Sequence, residues 1–477
     1  MVQVFRPKKG PSRKRPVNGK GALRNTGKQH RVTIDHLDHE AKGVVPGAPV
    51  MFVSGALPGE SCRVEESSHQ KNVIKANVLE IELASPHRIL PFCPHFDACG
   101  GCQTQYAEPE YLLSEKQNAV AKLLAKLTGL STSDLPWSTP LIGNSRGYRR
   151  KVRLAVDARN PEGIKLGFRG EGNNIISVSE CRVLEPELQN LLQPLHQMLS
   201  RLKSVKHLGH VILFSGVLES AQDTSGAGYK PQSYVTLRMT RAPGSSDKQL
   251  LERFQIAQDC LLIIDYGQKR YEWLSGEPAL MAYALQSGLA GVAEHDIVLG
   301  ITPDDFVQVN PQLNQAMVQQ ALGWLALTAQ DQVLDLFCGV GNFTLPMAQQ
   351  CHRVIGFEGV PEMVQMAQNN AQRNNIHNVE FVSGDLSAAD TLKTVSQLKC
   401  NKVVLDPARA GAFEAIDTLI SKTPEAILYI SCNPATFGRD IAKLLSANYQ
   451  LTKLSLIDMF PQTAHTEIMG LFVPARK

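Results

Sequence analysis

Gln332-Val333-Leu334-Asp335-Leu336-Phe337-Cys338-Gly339-Val340-Gly341-Asn342-Phe343 is the stretch on which the fold turns. Its first five residues form a short, mostly apolar run that reads as a buried strand, and Gly339-x-Gly341 reads as the turn into a helix. Glycines there let the backbone approach a bound ligand closely. The loop lacks the third glycine of a dinucleotide fingerprint and the Lys-Ser/Thr of a phosphate loop. Outward from it the texture repeats. Strands are expected at Arg353-Val354-Ile355-Gly356-Phe357, Val379-Glu380-Phe381-Val382, Lys402-Val403-Val404-Leu405 and Ala426-Ile427-Leu428-Tyr429-Ile430, with helices between them. Upstream, Asn310-Pro311 supplies an N-cap and a proline at the first helical position. Strand–helix alternation over 301–477 predicts an α/β domain with a mostly parallel, doubly wound sheet and its site at the carboxyl ends of the strands.

Acids stand at those ends. Glu358 closes the second strand, where a carboxylate can take both hydroxyls of a ribose. Asp385 follows the third strand, placed to meet an adenine amino group, and Asp406 opens Asp406-Pro407-Ala408-Arg409 after the fourth. Carboxylates without a basic residue for a phosphate suit a cationic, phosphate-free nucleotide such as S-adenosylmethionine. Ordinary strand-end acids are the plainer alternative.

The fifth strand runs into Ser431-Cys432-Asn433-Pro434. Buried structural cysteines are common, so Cys432 needs a partner to carry chemistry. Phe460-Pro461-Gln462-Thr463-Ala464-His465-Thr466-Glu467 offers one after another apolar run. A thiolate can add to carbon 6 of uracil, making carbon 5 a nucleophile toward a sulfonium methyl. A base must then take the carbon-5 proton so that the thiol can leave, with Glu467 the first candidate and His465 the second.

A different cysteine set precedes this domain. Cys93-x5-Cys99-x2-Cys102, with Gly100 and Gly101 inside it, is followed far downstream by Cys181. Close thiols in a glycine-bearing loop can wrap a metal that a distant fourth closes. Spacing alone leaves zinc and an iron–sulfur cluster both open.

The chain of 477 residues is 43% hydrophobic and 20% charged, ample for several globular cores. No apolar run approaches the ~20 residues of a membrane span, and no apolar segment follows the basic N-terminus. A cytoplasmic protein is expected, and its cysteines should then be ligands, nucleophiles or core residues rather than disulfides. The +4 net charge hides an asymmetry. Arg6, Lys8, Lys9, Arg13, Lys14, Arg15, Lys20, Arg24 and Lys28 are unrelieved by any acid before His30, so the remainder is net negative. Residues 1–29 read as a disordered basic arm able to neutralise nucleic-acid phosphates, or else as a solubilising tail.

Between arm and catalytic region, residues 30–86 alternate in short runs broken by Gly55, Pro58 and Gly59, the pattern of a small β-barrel. Leu37-Asp38-His39-Glu40 through Gly55-Ala56-Leu57-Pro58-Gly59-Glu60 resembles the TRAM domain, an OB-like RNA-binding barrel. A helix is expected over Tyr111 to Leu130, then a β-rich central domain completing residues 87–300, with Ala221 to Gln232 as a surface loop. Tyr148-Arg149-Arg150-Lys151-x-Arg153 and Phe168-Arg169 could grip or stack RNA, and a solvated strand face is the equal alternative.

Phe306-Val307-Gln308-Val309-Asn310, Asp335 to Phe343, Leu405-Asp406-Pro407-Ala408-Arg409-Ala410-Gly411, Ser431-Cys432-Asn433-Pro434 and His465-Thr466-Glu467 together resemble the RNA uracil-5 methyltransferase family. The resemblance spans nearly the whole chain after the basic arm. It implies a Rossmann-like S-adenosylmethionine-dependent methyltransferase domain behind an N-terminal TRAM barrel and a β-rich central domain, with the helix near residues 108–130 packing on the catalytic part. It implies that Gln308, Phe337, Asn342, Glu358, Asp385 and Asp406 contact S-adenosylmethionine, that Cys432 is the nucleophile and that Glu467 is the base. It further implies that Cys93, Cys99, Cys102 and Cys181 hold a [4Fe–4S] cluster. Having both cluster and barrel matches a branch acting on 23S rRNA, with no obligate protein partner implied.

Other readings remain to be weighed: the same chemistry on two 23S sites or on tRNA, and an iron–sulfur RNA-binding assembly factor without activity. A cytosine-5 enzyme would place a second cysteine beside the fourth-strand motif. An amino-nitrogen methyltransferase would carry Asn/Asp-Pro-Pro-aromatic. Neither is present.

Overall fold

The computed structural model describes residues 27–161, 163–170, 174–222, 229–276, 280–286 and 296–475. The expected basic arm, apart from its last three residues, lies outside them. Two compact units emerge, one reaching to Ala119 and including Gln462–Ala464, the other Val120–Pro461 with His465–Lys477.

In the second unit the region from residue 332 builds a seven-stranded sheet. Its strands are β1 (Gln332–Leu336), β2 (Arg353–Glu358), β3 (Val379–Ser383), β4 (Lys402–Leu405), β5 (Ala426–Ser431), β6 (Tyr449–Ile457) and β7 (Glu467–Pro474). Their spatial order is β3-β2-β1-β4-β5-β7-β6. The first five are parallel, and β7 enters antiparallel between β5 and β6. Strand order reverses beside β1, the switch point where such sheets open a crevice. The strands at the centre are buried throughout, as Val403, Val404, Leu405, Ile427 and Leu428 show. Near-continuous apolar runs are what a sheet covered on both faces requires.

Helices start where their caps dictate. Asn310 accepts a hydrogen bond from the Leu313 N–H at 3.2 Å and Pro311 opens helix Pro311–Leu325. Asn433 caps helix Pro434–Ser446 by accepting from the Ala435 N–H at 3.0 Å, which ends β5 and turns the chain at Cys432. Gly438 in that helix lies against Leu124 and Leu127 of helix Pro109–Thr128, where an added Cβ would stand 2.6 Å from Leu127.

A nine-stranded mixed sheet occupies residues 151–301 of the same unit. Its long strand Leu208–Gln222 pairs with Tyr229–Met239, so Ala221 and residues 229–232 belong to strands rather than to the loop expected there. One apolar core runs from this sheet (Phe214, Tyr234, Met281, Tyr283) to the catalytic one (Leu313, Val333, Phe343, Leu428). The edge strand Ile297–Ile301 is closed by side chains. On helix Pro361–Arg373 and its cap, Asn370 and Asn374 exchange hydrogen bonds with the N–H and C=O of Gly300 and Val298, at 2.8 to 3.1 Å. Amides four residues apart share a helix face, so the pair serves as a surrogate strand. Asn370 also donates to Val340 O in the glycine loop at 3.0 Å.

In the first unit Gln29–Thr33, Ser61–Gln70, Val73–Leu83, Val50–Ser54, Gly43–Val45 and His36–Leu37 follow one another across a six-stranded sheet, packed around Ile34, Val53, Cys62 and Val64. Fully buried Glu60 ties its turns by accepting from the Leu57 and Ser85 N–H groups and from Arg88.

Candidate active site

The glycine loop leaves β1 through Phe337, whose φ of 71° is unusual for a side chain with a Cβ. The N–H groups of Phe337 and Cys338 both donate to Phe357 O at 2.9 Å, binding the turn to the end of β2. Just beyond, Glu358 accepts from the Gly339 N–H at 3.2 Å and the Val360 N–H at 3.0 Å. Asn342 makes a reciprocal amide pair with Asn314, 2.9 Å in each direction, and accepts from the Tyr283 hydroxyl at 3.1 Å. Asp385 is exposed after β3, and hydrogen bonds from the side chain and backbone of Ser387 hold its carboxyl below its usual range.

Three acids sit far deeper. Burial pushes Asp335 up to about 7 against the hydrogen bond from Thr344, and Glu358 adds to the rise. Asp406 rises to about 7 through burial and then through Asp335. Glu467, 4% exposed, rises to about 8 through burial and then through Asp406. An anion stripped of water and facing other anions holds its proton. Gln308 Oε1, Asp335 Oδ1 and Glu467 Oε2 are buried without hydrogen-bond partners. Buried acceptors left unmatched among clustered acids are what a cationic nucleoside with donor groups satisfies, so these residues fit S-adenosylmethionine.

Cys432 stands at the end of β5. Ser431 pairs with Ile468 in the antiparallel β5–β7 ladder, so one step further Cys432 and Glu467 come opposite each other. Burial, then Glu467 and Asp406, push the half-buried thiol up to about 11, while Arg409 pulls the other way. The Arg409 backbone carbonyl accepts from Asn433 Nδ2 and Thr436 Oγ1, each at 3.2 Å, which ties the Asp406–Arg409 loop to the turn that carries Cys432. An Arg409 amino group lies 3.1 and 3.2 Å from the two ring nitrogens of His465, whose ring meets Phe460 edge-on. His465 is thereby engaged with Arg409, whereas Glu467 begins β7 one step beyond the last β5–β7 pair and its charge raises the Cys432 thiol.

Of the basic cluster read as an RNA grip or a solvated strand face, Arg150 fits neither. Arg150 is buried beneath the Tyr283 ring, 5.2 Å from its centroid, and Lys151 donates to Asp305 O at 2.5 Å. Burial lowers Lys151 to about 8. Arg153 and Arg169 of that cluster are exposed and Arg149 and Lys151 half-buried, because alternation turns Arg150 inward with Val152 and Leu154 and leaves Lys151 on the face of Arg153. Among the described residues no group of three or more His, Cys, Asp or Glu side chains is arranged to hold a metal ion. Cys93, Cys99 and Cys102 lie half-buried in one loop, and Cys181 is half-buried in the other unit.

Sequence reading gave no role to Asp335, although its place at the carboxyl end of β1 was a usable signal. Tyr283 and Asn314, which hold Asn342, carried none, because only folding brings them to the loop.

The family described as tRNA (Uracil-5-)-methyltransferase matches residues 285–476. Over 93% of the chain the fold is similar, with a TM-score of 0.67 and 22% identity, to 99% of the Pyrococcus abyssi tRNA (uracil-54, C5)-methyltransferase solved in complex with S-adenosyl-L-homocysteine. Curated relatives named 23S rRNA (uracil(1939)-C(5))-methyltransferase RlmD match end to end. The Shewanella frigidimarina protein is 38% identical and the Alteromonas naphthalenivorans protein 36% identical, each over 99% of both chains. With sheet order and full-length similarity in agreement, the chain belongs to the RlmD family of 23S rRNA (uracil-C5)-methyltransferases.

Proposed function

We propose that this protein transfers a methyl group from S-adenosylmethionine to carbon 5 of one uridine of 23S rRNA, the position its relatives' name numbers 1939. The observation that carries the reading is Cys432 opposite Glu467 at the end of the β5–β7 ladder. Gln308, Phe337, Asn342, Glu358, Asp385 and Asp406 hold S-adenosylmethionine, which supplies the electrophilic methyl group. The Cys432 thiol gives its proton to solvent as RNA enters, and the thiolate adds to carbon 6 of the uracil and places the electron pair on carbon 5 for the methyl group. Glu467 removes the carbon-5 proton, and the electrons returning to the ring expel the Cys432 thiolate. Three acids that hold protons near neutrality favour a positive partner, and a sulfonium lowers their proton affinity as it binds.

Recognition belongs to the rest of the chain. The N-terminal sheet is read as a TRAM barrel contacting RNA, and the basic arm as a phosphate contact. Base extrusion is required, because a stacked uracil hides its carbon-6 face. Cys93, Cys99, Cys102 and Cys181 are assigned to a [4Fe–4S] cluster on their spacing and the family likeness. Protein purified without oxygen should be brown with about four irons per chain, and zinc without iron overturns the assignment.

The test of function is nucleoside-resolution mapping of 5-methyluridine in RNA from cells lacking the gene. Loss at a single 23S site is expected. Loss at two 23S sites means dual specificity, and loss confined to tRNA rejects the ribosomal substrate.

A further inference from the structure

We propose that Gln103, immediately after the cysteine loop, is a positioning residue for the base: it fixes the turn that delivers Glu467. The proposal rests on the reading of Glu467 as the proton acceptor. Gln462–Ala464 group with the N-terminal unit although the chain on either side of them belongs to the other. The reason is a set of hydrogen bonds to residues just past Cys102. The backbone N–H groups of Gln103 and Thr104 donate to Gln462 O at 2.9 and 3.2 Å. The Gln103 side chain bridges two segments, Nε2 donating to Gly100 O at 2.8 Å and Oε1 accepting from the Ala464 N–H at 3.4 Å.

Both ends of the bridge are set. On the cysteine side the Gly101 N–H donates to Cys99 Sγ at 3.4 Å and the Cys93 N–H to the buried Gln105 Oε1 at 3.1 Å, so the loop is one bonded piece. On the other side Gln462 is 6% exposed and holds φ at 68°, a left-handed conformation that a residue with a Cβ adopts only when its surroundings impose it. Pro461, one residue earlier, accepts from the buried Tyr148 hydroxyl at 2.9 Å. A turn pinned on both flanks and strained at its centre leads, within five residues, into β7 and Glu467. Proton abstraction depends steeply on where the carboxylate sits, so loosening this turn should slow that step ahead of the others.

The test separates the two halves of the reaction. With ordinary uridine RNA, covalent attack and methyl transfer need Cys432, whereas release of methylated RNA needs Glu467. Gln103→Ala should lower turnover about 3- to 10-fold and accumulate a denaturant-stable, methylated protein–RNA complex that wild type does not. Gln103→Glu, which keeps the acceptor for Ala464 and loses the donor to Gly100, should recover part of the turnover. Turnover and complex formation falling in parallel, or no change in either, overturns the proposal. Wild type failing to form a complex with 5-fluorouridine RNA rejects instead the underlying chemistry, a result distinguishable from either.

Discussion

Cys432→Ala should abolish formation of 5-methyluridine, with at least ~10⁴-fold loss, and should also lose the covalent complex with 5-fluorouridine RNA. The size of the effect follows from the site. Cys432 is the thiol at the end of β5, opposite Glu467, where its pKa already responds to Glu467, Asp406 and Arg409. Burial pushes the other site cysteine, Cys338, well above its usual value, and its sulfur faces the loop carbonyl of Gly339 at 3.9 Å. No substitute nucleophile therefore takes over. Binding of S-adenosylmethionine should persist within a few-fold, since its proposed contacts lie on β1, β2, β3, β4 and the Gln308 segment. Residual methylation above about one percent, set against background, rejects the mechanism.

Glu467→Gln should give the complementary phenotype. Methyl transfer to the Cys432-bound uracil remains possible while loss of the carbon-5 proton does not, so turnover falls by about 10²–10⁴ and methylated RNA accumulates on the protein. The same substitution makes a stability prediction. Burial and Asp406 raise Glu467 to about 8, above the ordinary carboxylate value. A group raised on folding stabilises the protein fully below its unfolded pKa, and that contribution is lost as pH rises through the folded one. For Glu467 the loss runs from about pH 4.5 to pH 8. A neutral amide has no such loss. In the absence of ligand, Glu467→Gln should melt like wild type at pH 5 and a few degrees above it at pH 8.5–9. The carboxylate shares its strain with Asp406, so the gain is about 1–3 kcal/mol rather than the full shift. An unchanged difference in melting temperature between pH 5 and 9 removes the buried anion from the account.

The five parallel strands were legible because each is a short apolar run ending at a turn or an acid, and a strand buried on both faces has no freedom to be otherwise. The same local clarity exposed Gly339, Asn310-Pro311, Cys432 and Glu467. It failed for Arg150, where alternation marks a strand without saying which face is covered, and for residues 221–222 and 229–232, whose polar composition hides strand ends that only their partners select, while 223–228 of that expected loop lie outside the described residues.

The sequence by itself determined the doubly wound domain, its glycine loop and the strand-end acids, and it singled out Cys432 and Glu467 as candidates for nucleophile and base, because those depend on contacts within a few residues and on side-chain chemistry. Tertiary structure alone decided what brings them into force. The β5–β7 register brings Cys432 toward Glu467 across 34 intervening positions of sequence. Tyr283 and Asn314 hold Asn342, and Gln103 reaches Ala464. Proton affinities of Asp335, Asp406 and Glu467 follow from the exclusion of water and the approach of like charges, which no local stretch of chain encodes.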